Sequence, residues 1–132
     1  MHKLINPTSV FNSIQYGFSQ AVESRGTRQL FLSGQVGVDA NQVTVAGGMY
    51  EQALKSVENI EAVLADAGAT LAAVTMLRIY IKQGADSEAE QQAISQVLKE
   101  KFAEHAPASS WIIVVGLSLP EWLIEIEAQA VI

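Results

Sequence analysis

Two stretches of strictly alternating apolar and polar residues constrain the fold of this chain more than any other feature. The first spans residues 77–82, with the sequence LRIYIK, and the second spans residues 124–129, with the sequence IEIEAQ. Successive side chains of a β-strand point to opposite faces of its sheet. Both stretches therefore predict strands with one apolar and one polar face. Helices packed on the apolar face would give a two-layer α+β domain.

Two further segments carry apolar residues at the three- and four-residue spacing of an amphipathic helix. The first covers about residues 49–67, and Gly68 follows it as the expected left-handed C-cap. The second runs from about residue 87 to residue 105. Ser87 and Glu90 form a capping-box pattern at its start, and Pro107 closes it. We expect both helices on one face of a single mixed sheet.

The rest of the chain predicts additional strands. Residues 18–24 and 29–33 flank a short turn that contains glycine, which predicts a β-hairpin. A later strand is expected at residues 111–116. The predicted order is two or three strands, a helix, a strand, a helix and two strands. Because no linker, repeat or low-complexity tract interrupts the chain, we interpret residues 1–132 as a single domain.

The polar face of the predicted sheet also carries large apolar residues. Our assignment places Trp111, Ile113 and Leu123 on that face, beside the carboxylates and an arginine. Apolar side chains of that size are poorly placed against water. We therefore expect a partner subunit to cover this face and a pocket for a small-molecule ligand to form at the boundary.

The composition excludes several classes of function. A formal charge of −6 provides no excess of basic side chains for a nucleic acid or an anionic membrane surface. With no cysteine, the chain has neither disulfides nor thiolate metal sites. His2 and His105 lack neighbours at metal-ligand spacing, so we expect neither a metal nor a cofactor. No signal-peptide run or membrane-spanning stretch is present, which favours a cytoplasmic protein without membrane partners.

Glu125 and Glu127 are the carboxylates of the polar face, and two interpretations of them stay open. Either both lie on a solvated strand face, or a covering subunit desolvates one of them, which then needs Arg78, a backbone N–H or water as its partner. A carboxylate in the second situation suits acid–base work on water or on a substrate nitrogen. Arg78 is either an ion-pair partner between subunits or a clamp for a ligand carboxylate.

Ser33 and Gly34 lie at the end of a predicted strand. No histidine lies near Ser33 in the sequence to act as its base, so a serine nucleophile is not expected. Gly34 indicates a bend, or a place where another group approaches the backbone closely.

Taken together, five segments resemble the Rid/YjgF family of reactive-intermediate deaminases, in the same order and spacing over nearly the whole chain. They are YGFSQAV at 16–22, LFLSGQ at 30–35, the first helix at 51–68, PASS at 107–110 where the family has Pro-Ala-Arg, and IEIEAQA at 124–130. The resemblance implies a chorismate-mutase-like fold and a homotrimer with a barrel-like core, outer helices and three clefts between subunits. It also implies hydrolysis of enamines or imines such as 2-aminoacrylate to a keto acid and ammonia.

The family site, by this resemblance, uses an arginine for the substrate carboxylate, a tyrosine and a Ser-Gly segment that shape the pocket, and a glutamate that positions water. Ser33, Gly34 and Glu125 match that set. Four other positions depart from it. The tyrosine is replaced by Phe18, the arginine by Ser109 and an asparagine of the second helix by Ser95, and Trp111 stands where a small residue or cysteine is common.

Loss of the arginine alters the expected ligand. A charge-assisted hydrogen bond contributes about 1.5–3 kcal/mol, so losing a bidentate pair weakens carboxylate binding ~100-fold or more. Arg78 is a candidate replacement for the lost cation, and Trp111 is expected to fill or roof much of the cleft with apolar surface.

Two functions follow as hypotheses. In the first, Glu125 orients water for imine or enamine hydrolysis, Ser33 and Gly34 supply polar contacts, and Phe18 and Trp111 shape the pocket. In the second, a non-catalytic trimer binds a more apolar or aromatic ligand in the same cleft. Ribonuclease activity, attached to some relatives, is disfavoured because the chain is acidic and lacks a suitable pair of histidines.

Overall fold

The computed structural model describes residues 2–132, and its elements follow the predicted order. The strands are β1 (His2–Ile5), β2 (Ala21–Ser24), β3 (Gln29–Val36), β4 (Val74–Lys82), β5 (Ala108–Val114) and β6 (Ile124–Val131). The helices are α1 (Met49–Asp66) and α2 (Glu88–Phe102). Short 3₁₀ helices cover Ile14–Tyr16, Leu71–Ala73 and Ala103–His105. None of the helices in the described part of the chain is long and apolar enough to span a bilayer.

Four strands form a mixed sheet in the order β3-β6-β4-β5. β6 runs antiparallel to both of its neighbours, whereas β4 and β5 are parallel. The parallel pair is connected through α2, as a crossover connection requires. This arrangement confirms the predicted α+β fold with a mixed sheet and two helices.

The predicted hairpin between residues 18–24 and 29–33 is wrong. β2 pairs with β1 in a separate two-stranded sheet, and β3 pairs with β6. The segment between β2 and β3 is held by the end of the last strand instead of closing a tight turn. Thr27 and Arg28 both donate their backbone N–H to the carbonyl of Ile132, each at 3.0 Å.

The ends of both helices follow from local sequence. Gly68 has a φ of +82°, the left-handed conformation predicted for it. At the start of α2, the backbone N–H of Glu90 donates to Ser87 Oγ at 3.2 Å, and the backbone N–H of Ser87 donates to Glu90 Oε1 at 3.2 Å. These reciprocal bonds confirm the predicted capping box.

One hydrophobic cluster lies between the helices and the sheet. Its fully buried members include Val57, Ile60 and Leu64 of α1, Ile94 and Leu98 of α2, and Leu77, Ile79, Ile81, Ile124 and Ile126 of the sheet. Along β4 and β6, these residues alternate with half-buried ones that point the other way. We call that opposite surface the helix-free face; it carries Arg78, Tyr80, Lys82, Glu125 and Glu127.

The predicted placement of Trp111, Ile113 and Leu123 on the polar face is wrong. In the parallel register, Trp111 lies beside Ile79 and Ile113 beside Ile81, so both share the face of the core residues. Leu123 precedes β6 and packs against the core cluster. Alternation shows that neighbouring residues in a strand point to opposite faces. It does not show which of the two alternating sets of β5 residues faces the helices.

Candidate functional site

The sequence-predicted residues separate into two groups and one isolated side chain. The first group is built on an irregularity in β3. Leu32 lies opposite Ala128 of β6, but Gln35 lies opposite Ile126, so Ser33 and Gly34 together oppose the single residue between them. This is a β-bulge, a feature that re-aims side chains and is common beside active sites.

Gly34 is directly covered by the side chain of Glu125. A Cβ atom added at Gly34 would lie 2.7 Å from both Cγ and Cδ of Glu125, closer than real side-chain contacts allow. The glycine therefore leaves the space in which the carboxyl group lies, as the close approach predicted at this position requires. We call Ser33, Gly34 and Glu125 the bulge site.

The carboxylate of Glu125 is half-buried and accepts no hydrogen bond from any group in residues 2–132. The glutamate two positions along the strand has a partner. Tyr80 donates its hydroxyl to Glu127 Oε1 at 2.5 Å. This hydrogen bond, followed by burial, raises the pKa of Tyr80 above its ordinary value. Of the two carboxylates, Glu125 is the one whose oxygens accept no hydrogen bond from residues 2–132.

Arg78 belongs to neither group. It lies half-buried on the helix-free face, directly across from Glu127 in the β4–β6 register. It has no ion-pair partner within residues 2–132, and it does not line the cavity described next.

The second group lines a cavity of about 600 Å³ between the 3₁₀ helix at Ile14–Tyr16, α2 and β5. One wall consists of the rings of Phe11, Tyr16, Phe18 and Trp111. Phe18 lies between two other rings, with centroid distances of 6.3 Å to Phe11 and 6.3 Å to Trp111. Phe11 also contacts Tyr16 at 6.5 Å. Their tilted and edge-on orientations are those that aromatic pairs prefer. We call this space the aromatic cavity.

The other wall of the aromatic cavity is polar. It is formed by Glu88, Gln91, Gln92 and Ser95 of α2. Ser109 of β5 also lines the cavity, and its Oγ accepts a hydrogen bond from Trp111 Nε1 at 3.1 Å. Glu88 is the only charged side chain among the described residues that line it.

The two groups lie on opposite faces of the sheet. Glu125 projects from the helix-free face, whereas Ser109 and Trp111 share the face of Leu77 and Ile79, on the helix side. Within one chain the bulge site and the aromatic cavity do not form a common site.

Several lining residues were missed in the sequence. Phe11 and Tyr16 precede the predicted strand, and Glu88, Gln91 and Gln92 were interpreted only as the start of a helix. Phe11 is 60% exposed in the chain and Tyr16 is 46% exposed. Three aromatic residues within positions 11–18 were the available signal, because aromatic side chains in a loop are costly to leave in water.

The sequence of this chain is similar to those of known proteins. The sequence model of the family described as Endoribonuclease L-PSP matches residues 11–132. The chain is 35% identical to a 3-aminoacrylate deaminase RutC of Acinetobacter baylyi over 102 residues, covering 76% of this chain and 77% of that one. It is 33% identical to a 2-iminobutanoate/2-iminopropanoate deaminase of Dermatophagoides farinae over 116 residues, covering 87% and 85%.

A solved structure shares the fold closely. The Rid-family protein YyfB of Yersinia pestis, itself described as of unknown function, superposes with a TM-score of 0.91 at 39% identity, covering 99% of this chain and 98% of that one. The extent of the sequence match and the agreement in fold lead to one conclusion: the chain belongs to the Endoribonuclease L-PSP family, the Rid/YjgF proteins whose motifs it carries.

Proposed function

We propose that this protein is a hydrolytic deaminase of a reactive imine or enamine, with Glu125 as the residue that positions and activates water. One observation carries the proposal. The Glu125 carboxylate lies against a glycine that leaves room for it, and its hydrogen-bonding capacity is not used within residues 2–132. The relatives named as deaminases of 3-aminoacrylate and of 2-iminobutanoate support the same class of reaction.

The chemistry needs one base and one water molecule. Glu125 accepts a proton from water while the water oxygen attacks the carbon of the protonated imine, which gives a neutral carbinolamine. The proton then passes to the carbinolamine nitrogen. The C–N bond breaks as the hydroxyl proton passes back to the Glu125 carboxylate, so that ammonia and a carbonyl compound are released. An enamine enters the same sequence after it has tautomerised to the imine.

The site is completed in the proposal by a second copy of the chain. The bulge site and the aromatic cavity lie on opposite faces, so a cleft between subunits of a homotrimer would bring them together. Exposed apolar side chains on the helix-free face support such an assembly: Phe31 is 71% exposed and Ile112 is 37% exposed. We further propose that the protein works in the cytoplasm, where its lack of cysteine is unremarkable.

The test is release of carbonyl product and ammonia from freshly generated imines. The panel should contain 2-aminoacrylate, bulkier amino-acid-derived imines and imines without a carboxylate. Wild type is compared with Glu125→Gln, and Glu127→Gln is the matched control because it makes the same change two positions along the strand. We expect Glu125→Gln to lose about 100-fold or more in rate, the typical contribution of a general base, while Glu127→Gln keeps most of the activity.

A different result would reject the proposal. If no imine in the panel is hydrolysed faster than in buffer, or if Glu125→Gln hydrolyses as fast as wild type, Glu125 is not a catalytic base.

A second candidate function is a non-catalytic trimer that binds a ligand in the same cleft. The observation that favours it is the aromatic cavity, in which the described residues offer four rings and no cation. A binding protein would keep its ligand affinity in Glu125→Gln and would show no turnover in either form.

A further inference from the structure

We infer that the aromatic cavity takes a ligand with a planar aromatic group and no carboxylate, in contrast to the small carboxylates that the sequence resemblance implies. This inference rests on the proposed function, because it takes the aromatic cavity as the place where the substrate binds. It narrows the substrate to an aromatic imine or enamine that is neutral or cationic.

The aromatic wall supplies the first argument. Phe11, Phe18 and Trp111 form a continuous row, with centroids 6.3 Å apart at each step. The indole N–H of Trp111 is already bonded to Ser109, so this side chain has no donor left for a ligand and offers apolar surface. A flat ring stacked on this row gains both hydrophobic burial and favourable aromatic contacts.

The exposure of the aromatic wall supplies the second argument. Phe11 is 60% exposed although it lines a concave space. Large apolar side chains that surround a cavity and remain in contact with water are typical of binding sites. A cavity of about 600 Å³ has room for a substituted six-membered ring.

The charge of the lining supplies the third argument. Among the described residues, no lysine or arginine lines the cavity, and Glu88 gives it a negative charge. Ser109 offers a hydroxyl where a cation would be needed to hold a carboxylate. Within one chain, a ligand carboxylate in the cavity would therefore be desolvated without a partner and repelled by Glu88. The amides of Gln91 and Gln92 provide neutral donors and acceptors for a substituent on the ring.

Binding of three small probes tests the inference without any catalytic step. Benzyl alcohol, benzylamine and phenylacetate share one ring and differ in charge. We expect phenylacetate to bind about tenfold more weakly than benzyl alcohol, and benzylamine to bind at least as well as benzyl alcohol. Calorimetry measures the three affinities. Quenching of Trp111 in a Trp122→Phe background reports that the cavity is the place of binding, because Trp122 does not line it.

Three variants test whether the probes bind in the aromatic cavity and whether its charge sets their ranking. Phe11→Ala should weaken benzyl alcohol binding by about three- to tenfold, since it removes one ring of the wall. The Phe11 side chain is mostly exposed, so its removal leaves the core intact. Ser109→Arg should reverse the ranking and make phenylacetate the tightest probe. Gln96→Arg is the matched control: it adds the same charge on the exposed side of α2, outside the cavity, and should leave the ranking unchanged.

The inference is overturned if phenylacetate binds to wild type as tightly as benzyl alcohol, or if none of the three probes perturbs Trp111. Its failure is distinguishable from that of the proposed function. Hydrolysis of carboxylate-bearing imines as fast as neutral aromatic ones would uphold the deaminase and reject this ligand class. The expected ranking without any hydrolysis would uphold the ligand class and reject the deaminase.

Discussion

Gly34 and Glu125 show how a single missing side chain makes room for a carboxylate. The Cβ position of Gly34 is occupied by the end of the Glu125 side chain. The bulge at Ser33 and Gly34 brings the backbone of β3 to this point without breaking its pairing with β6 on either side. The location of the carboxylate therefore depends on the residue opposite it as much as on Glu125 itself.

Gly34→Ala should lower turnover by about 10–100-fold, because a shift of roughly 1 Å in a catalytic group has effects of that size. The expected loss of stability is small, about 1 kcal/mol or less, since the flexible end of Glu125 can move away. Steady-state kinetics and urea denaturation measure the two quantities.

Gly116→Ala is the control for this change, because a Cβ at Gly116 meets no atom within 4 Å. If Gly34→Ala retained full turnover in the same assays, the close fit between Gly34 and Glu125 would have no catalytic meaning.

For single residues, the sequence predicted the sheet face correctly wherever the alternation along a strand was enough to decide it. Arg78, Tyr80, Glu125 and Glu127 share one face, as the period of two required. Trp111 was misplaced because its face depends on the register between two parallel strands, which are far apart in sequence. The aromatic wall was only partly predictable, since Phe11 reaches the cavity through a loop without a repeating pattern.

Among the elements, α1 has two roles: it covers the sheet and it fixes the approach to β6. The side chain of Gln52 is buried, at 3% exposure. Its Nε2 donates to the carbonyl of Glu121 at 2.9 Å, and its Oε1 accepts from the backbone N–H of Leu123 at 2.9 Å. One helical side chain thus satisfies two backbone groups of the loop that leads into the strand bearing Glu125.

Gln52→Met should reduce the free energy of unfolding by about 2–4 kcal/mol, because two partly buried backbone groups lose their partner. Urea denaturation followed by circular dichroism measures the change.

The same substitution at Gln96, whose amide bonds to Glu100 on the exposed side of α2, should cost less than about 0.5 kcal/mol. An equal loss in both variants would mean that the Gln52 bridge does not stabilise the loop.

Both helices and five of the six strands in the described residues, all except β1, were predictable, because their signals are local. The Ser87–Glu90 capping box and the left-handed Gly68 lie within one helical turn of the residues that they cap. The predicted hairpin was wrong because the contacts that hold this segment are distant in sequence. Thr27 and Arg28 bind the end of the chain at Ile132, a contact between residues about a hundred positions apart that no local turn signal reports.

For the whole molecule, the most important property is that the two faces of the sheet are covered differently. Helices protect one side of the sheet, and the other side presents Phe31 and Ile112 beside a row of polar groups. Large exposed apolar side chains on a sheet face are a common mark of association between subunits.

Phe31→Lys should shift a trimer toward smaller species, because it places a charge in the proposed interface. Sedimentation equilibrium should give wild type a mass of three times the 14.2 kDa chain and the variant a lower, concentration-dependent mass.

Val63→Lys is the control: Val63 is 45% exposed on α1, on the other side of the molecule, and its replacement should leave the mass unchanged. A wild-type mass equal to one chain would contradict the proposed assembly.

The separation of the bulge site from the aromatic cavity also has an evolutionary consequence. Substitutions in β5, in the first turns of α2 or in the segment from Phe11 to Phe18 alter the lining of the aromatic cavity and do not touch the strand pair that holds Glu125. New preferences for a ligand can therefore arise by mutation while the carboxylate that we propose as the base stays in place.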